Sequence, residues 1–210
     1  MRNDESCRGV CVKRLANGFG AWHKRRYNAF TLIELIVVFA LILVLTGLVL
    51  STAGYARKKG ARARAETEIA AMSAACESYK ADNGIYPSNS VTNNLDPRTN
   101  GDPGTTAYSF ASFYLYTILS GDSTGNRSPT GKSYMAFKPN MLLPAGGTGI
   151  VTAIADPFGN SYGYSTAQAA NPGGITGYNP TFDLWSTAGL TTNPPPSGTD
   201  TITPQWIKNW

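Results

Sequence analysis

A single carboxylate stands in a stretch of chain that is otherwise fit for lipid. Between Phe30 and Leu50 the only charged residue is Glu34. An acid at bilayer depth costs about 2.5–3.5 kcal/mol near the middle of a spanning helix. A partner for that charge is therefore expected. Lys24, Arg25 and Arg26 lie just upstream, and the small residue Ala29 immediately precedes Phe30. Basic leader, small residue, aromatic, acid and long apolar run form one ordered pattern.

Two simpler readings of the segment are weaker. A secretory signal peptide has an apolar region of about 7–15 residues, and this run is longer. Ser51-Thr52-Ala53 is also a poor small-residue cleavage site. A plain signal anchor fits the hydropathy but leaves Glu34 without a purpose.

Charge is concentrated at the start of the chain. The net charge is +5, and residues 1–29 hold seven Lys/Arg against Asp4 and Glu5. The remaining residues balance eleven basic against eleven acidic side chains. The alkaline pI thus belongs to the leader, and no nucleic-acid partner is expected. Basic residues before the apolar run place the N-terminus in the cytoplasm. A second cluster, Arg57, Lys58, Lys59, Arg62 and Arg64, follows the run. It reads as a solvated helix face, with lipid head groups or a neighbouring subunit as the alternative contact.

Cys7 and Cys11 fall in the leader, which leaves Cys76 alone beyond it. No internal disulfide is then available, and a buried helix position suits Cys76. His23, the only histidine, is also in the leader. A His-based triad or metal site beyond residue 29 is excluded. No enzyme activity is expected.

The helix is expected to continue past the membrane. No proline occurs from Phe30 to Asp82, and the chain after Leu50 is rich in Ala, Arg, Glu and Lys. Ile69, Met72, Cys76 and Tyr79 make one apolar stripe, with Glu66, Glu77 and Lys80 opposite. Asn83-Gly84 and then Pro87 supply the stop. Such a helix is ~80 Å long at 1.5 Å per residue, with about the first two fifths in the bilayer core. Gly47, Ser51 and Gly54 line one side and form a candidate helix-packing face. Their other reading is the ordinary composition of membrane helices.

After Gly84 charge thins and Gly, Pro, Ser, Thr and Asn rise. Asn89–Thr106 reads as a long irregular loop. Ala107–Leu119 reads as a short helix ended by Gly121, with a strand as runner-up. Tyr134–Phe137 reads as a short strand. Asp156-Pro157-Phe158-Gly159-Asn160 is a turn, and Ser161–Thr166 is expected to pair antiparallel with Thr181–Ser186. Trp206 and Trp210 are expected to dock the C-terminal segment. The fold class is α+β: a long N-terminal helix packed on a small antiparallel sheet.

The segment Ala29-Phe30-Thr31-Leu32-Ile33-Glu34-Leu35 resembles the N-terminal signal of type IV prepilins and of the pseudopilins of type II secretion. Ala29 stands where those proteins usually carry Gly. Lys80-Ala81-Asp82-Asn83-Gly84-Ile85-Tyr86-Pro87, the turn from Asp156 to Tyr162, Phe182-Asp183-Leu184-Trp185-Ser186 and Ile207-Lys208-Asn209-Trp210 are similar to the helix exit, first β-turn, last strand and C-terminal end of major pseudopilins. The resemblance implies a pilin fold in four parts: a cleaved leader (1–29), a membrane or filament-core half-helix (30–55), an exposed amphipathic half-helix (56–84) and a periplasmic head (85–210). It implies cleavage between Ala29 and Phe30 by prepilin peptidase and N-methylation of Phe30. It further implies a single-pass inner-membrane protein that assembles, on an inner-membrane platform, into a homo-oligomeric helical filament with other pseudopilins. Growth of that filament would push exported proteins through an outer-membrane pore. Glu34 would pair with the new amino group of Phe30 on the adjacent copy, which sets the axial stagger. A type IV pilin for adhesion, motility or DNA uptake and a membrane-anchored binding module are the alternatives.

Major pseudopilins hold calcium in the loop after the last strand, and the resemblance raises the same ion here. Gly189-Leu190-Thr191 replaces their Asp-Gly pair, so the principal carboxylate is missing. No cofactor is expected, and Asp183 and Asp200 are the candidate ligands if calcium binds.

Overall fold

A computed structural model describes residues 30–99, 105–190 and 206–210, with residues 51 and 52 described by backbone alone. The expected leader with Ala29, residues 100–104, and the segment 191–205 with Asp200 lie outside the described residues. The chain divides into two units, Met1–Leu48 and Val49–Trp210.

Helix α1 runs over Leu32–Asn83, as the uninterrupted helix-forming composition predicts. Length and composition suffice for it to cross a membrane. Gly84 ends it in a left-handed conformation (φ 79°), and its N–H donates to Lys80 O at 2.7 Å. In the second unit α1 is followed by α2 (Ser90–Asn93), α3 (Thr106–Ser120), a 3₁₀ turn (Pro139–Met141), β1 (Leu142–Leu143), β2 (Ala153–Ile154), β3 (Gly163–Ser165), α4 (Ala167–Ala170), β4 (Asp183–Ser186) and β5 (Ile207–Lys208). β1 pairs with β2, and a three-stranded antiparallel sheet has the order β3-β4-β5. The described residues therefore form a mixed α+β fold: a long N-terminal helix and a small antiparallel sheet region.

The apolar stripe of α1 is core. Ala65, Ile69, Met72 and Cys76 are buried against Leu115, Tyr116 and Leu119 of α3 and against Tyr162, Tyr164, Leu184 and Ile207 around the sheet. Glu66, Glu77 and Lys80 are exposed, as expected of the opposite face. A smaller cluster gathers Leu95, Tyr108, Ala111, Trp185 and Trp206. Trp206 stacks parallel to Trp185, and Trp210 stacks on Tyr178 at 4.9 Å. The two tryptophans thus dock the C-terminal segment.

Several sequence expectations hold in detail. Thr106–Ser120 is helical and ends at Gly121 (φ 75°), where a Cβ would press on the carbonyl of Gly131. β3 and β4 pair antiparallel in the register Gly163↔Trp185. The 156–160 turn closes through Asp156 N–H donating to Asn160 O at 2.8 Å.

Two expectations are corrected. The 89–106 stretch is not wholly irregular, because α2 forms at Ser90–Asn93. Asn89 and Thr92 cap it reciprocally: Thr92 N–H donates to Asn89 Oδ1 at 2.9 Å and Asn89 N–H to Thr92 Oγ1 at 3.0 Å. Tyr134–Phe137 is not a strand. The N–H groups of Tyr134 and Met135 both donate to Leu119 O at the end of α3, so no neighbouring strand is needed. The aromatic rings of that stretch pack edge-on, Tyr134 against Tyr79 and Phe137 against Tyr116.

Cys76 is fully buried, and burial followed by the charge of Glu77 pushes its thiol up to about 12. An ordinary cysteine titrates near 8.5. Iodoacetamide at pH 8 is therefore expected to leave Cys76 unmodified in the native protein and to label it after urea unfolding. Labelling at equal rates in both states would contradict the packing.

Candidate functional site

In the first unit the described residues form the start of α1. Its apolar side chains are exposed among the described residues: Phe30 is 81 % exposed and Leu43 71 % exposed. Apolar residues on every side of a helix, all uncovered, are suited to lipid or to other helices.

Glu34 has a local role that the sequence reading missed. Thr31 precedes the first helical residue. Its N–H and its hydroxyl both donate to Glu34 Oε2 at 2.8 Å, and Glu34 N–H donates back to Thr31 Oγ1 at 3.3 Å. This is a capping box, with the acid at the third helical position. The signal was present, since Thr31 and Glu34 have the Thr-x-x-Glu spacing. The carboxylate also complements the positive end of the helix dipole. A carboxylate has about four acceptor sites, so this cap does not saturate Glu34.

Gly47 and Gly54 both lie on α1. A Cβ at either position would meet nothing within 4 Å among the described residues. Glycine inside a helix costs about 0.5–1 kcal/mol relative to alanine. Packing among the described residues does not account for that cost at either position. The side chain of Ser51, the third residue of the expected face, lies outside the described residues.

In the second unit a buried polar network ties α1 to the sheet. Glu68 is 8 % exposed, accepts from Arg64 Nε at 2.6 Å and accepts from Tyr162 Oη at 2.7 Å. Burial, then the bond to Glu68, raises the Tyr162 hydroxyl well above its usual value. The Arg64–Glu68 spacing was visible as an i,i+4 pair, whereas the tyrosine comes from 94 residues away. Asp156 joins the 156–160 turn to β4. Its Oδ1 accepts from Phe158 N–H and Asn160 N–H, and its Oδ2 accepts from Ser186 Oγ at 2.6 Å. Burial raises the Asp156 carboxyl.

Of the two calcium candidates, only Asp183 lies among the described residues. Asp183 is buried, and its two oxygens accept Tyr178 N–H (2.9 Å) and Asn179 N–H (2.8 Å). Burial raises its carboxyl, and both oxygens face amide donors, which is poor chemistry for a cation. Asp200 lies outside the described residues. Among the described residues no group of three His, Cys, Asp or Glu side chains is positioned to hold a metal. The described donors therefore do not fit a calcium ion at Asp183.

A family model described as the prokaryotic N-terminal methylation motif matches residues 24–50. Neither a curated protein nor a solved structure matches the chain. The chain thus carries a prepilin-type signal of the type IV pilin-like kind, and its long apolar helix begins within that signal. The match spans Ala29, Phe30, Glu34 and Gly47 and stops short of the head.

Proposed function

We infer that the chain is a structural subunit of a type II secretion pseudopilus, built by polymerisation of N-terminal helices. One observation carries this reading: the methylation motif coincides with a helix whose apolar surface is uncovered and whose lone acid lies near its start. Prepilin peptidase would cut between Ala29 and Phe30 on the cytoplasmic face, and the amino group of Phe30 would be methylated. The helix stays in the inner membrane with the head on the periplasmic side. On assembly, the amino group of one copy meets the Glu34 carboxylate of the next, and charge is neutralised in a medium where an unpaired charge is costly. Gly47, Ser51 and Gly54 let neighbouring helices approach. The contact is head-to-tail and does not close on itself, so it generates a helical fibre. The subunit is structural rather than catalytic. Cys76 is alone beyond residue 29, and the lack of a second cysteine to pin the C-terminal loop favours a secretion fibre over an adhesive pilus.

Mass spectrometry of the membrane-extracted protein tests processing directly. The expected species begins at Phe30 and carries one methyl group. Ala29→Leu places a bulky residue at the cleavage position and is expected to retain the leader. A mature mass identical to wild type in that variant would refute the assigned site. Deletion of the gene then separates the two fibre types: loss of exported protein from the medium supports the pseudopilus, whereas loss of surface pili with intact export supports an adhesive pilin.

A further inference from the structure

The basic residues of α1 divide into two groups that behave differently. Arg64 is bonded to Glu68, and Arg62 lies 3.5 Å from Glu66. Arg57, Lys58 and Lys59 have no acid three or four residues away in either direction. Among the described residues they also have no hydrogen-bond or ion-pair partner, and all three are exposed. Lys58 even faces Arg62 at i,i+4, a like-charge arrangement that disfavours the helix. Three adjacent cations left uncompensated on a helix that satisfies its other arginines point to an external anion.

Their place along α1 limits what that anion is. Leu50 ends the apolar run, and Arg57 to Lys59 follow seven to nine residues later, about 10–13 Å along the axis. Helical side chains lean toward the N-terminus, so these three lean back toward the apolar run. Tyr55, 72 % exposed, lies between the two, the position where aromatic residues mark a membrane interface. Within the second unit, Tyr55, Lys58, Lys59 and Arg62 form one wall of a cleft of about 680 Å³, faced by Phe158 and Leu190. A cleft of this size is in the range that holds small ligands. One wall is cationic and the other apolar, which matches a phosphate group attached to glycerol and acyl chains.

We propose that this cleft binds the head group of an anionic phospholipid, with Lys58 and Lys59 on the phosphate and Tyr55, Phe158 and Leu190 against its apolar part. The proposal rests on the membrane reading of α1 given above. Head-group contact would fix the depth of the subunit in the bilayer before assembly.

Full-length protein in detergent, titrated with phosphatidylglycerol or with phosphatidylcholine of the same acyl chains and analysed by native mass spectrometry, tests it. The wild type is expected to retain phosphatidylglycerol preferentially. Lys58→Gln/Lys59→Gln is expected to lose that preference by about fivefold per charge removed. Lys138→Gln, at an exposed lysine outside the cleft, is expected to keep it. Equal retention of the two lipids, or an equal loss in Lys138→Gln, overturns the proposal. So does an unchanged lipid preference in a double variant that no longer forms fibres, which would make the cluster a contact between copies. Carbonate-resistant insertion into phosphatidylcholine vesicles separates the two claims. Insertion without lipid preference removes only the cleft, whereas failure to insert removes the membrane reading as well.

Discussion

Glu34→Ala and Glu34→Gln are expected to insert and to lose their leader normally, yet to form no fibres. Insertion should become easier, because a charge is gone from the apolar run, although near the start of the helix its cost is below the mid-membrane value of about 2.5–3.5 kcal/mol. What disappears, on the assembly proposed above, is the anion that would meet the neighbouring amino group. The capping box supplies the necessary control. Glu34 also caps α1 through Thr31, so a frayed helix start is a second explanation for a loss of fibres. Thr31→Ala removes the hydroxyl from the cap and leaves the carboxylate. Caps of this kind are worth about 1 kcal/mol, too little to abolish a polymer held by many helix contacts. Thr31→Ala is therefore expected to assemble with modestly reduced yield. Fibre mass by sedimentation and electron microscopy distinguishes the cases. Normal yield from Glu34→Gln would remove charge pairing, and equal failure of Thr31→Ala would relocate the effect to the cap.

The second large effect lies in the head. Gly163 of β3 is paired opposite Trp185 of β4, and a Cβ at Gly163 would land inside the indole ring. The indole has no room to retreat: it is fully buried, edge-on to Tyr108 at 5.1 Å and stacked with Trp206 at 6.5 Å. Gly163→Ala is expected to cost about 3 kcal/mol, the upper end of the range typical of overpacking. Trp185→Ala removes the hub of the cluster and is expected to cost about 3–5 kcal/mol. At about 2–4 °C per kcal/mol for a domain of this size, Trp185→Ala lowers Tm by on the order of 10 °C. The two changes touch the same space, so the double variant should lose less than the sum of the singles. An unchanged melting temperature in Gly163→Ala would show that the β3–β4 register is wrong.

The sequence was most legible where the signal is local. The length of α1 followed from composition and the absence of proline, and its end followed from Asn83-Gly84. The stripe at Ile69, Met72 and Cys76 followed from helical spacing. Turn chemistry around Asp156 and Gly121 also located the neighbouring elements. Legibility failed where distant residues decide the outcome. Tyr134–Phe137 has the composition of a strand, but its amides go to the end of α3. Glu68 looks like a surface helix acid until Tyr162 arrives from the sheet to cover it. α2 was missed for a different reason: a one-turn helix held by Asn89 and Thr92 has no periodicity to detect. In the apolar run, hydropathy drew attention to the cost of Glu34 and away from its Thr31 partner three residues back.

The shortness of the outer strands has its own consequence. β3 and β5, at the two edges of the three-stranded sheet, are three and two residues long. So few free amide and carbonyl groups make a poor template for adding a foreign strand. In the fibre proposed above, heads brought together at high local density would then have little tendency to fuse edge to edge into an irreversible, amyloid-like stack. Cohesion in that fibre would then fall to helix contacts that lipid can replace, so its units could be taken apart and returned to the bilayer for reuse.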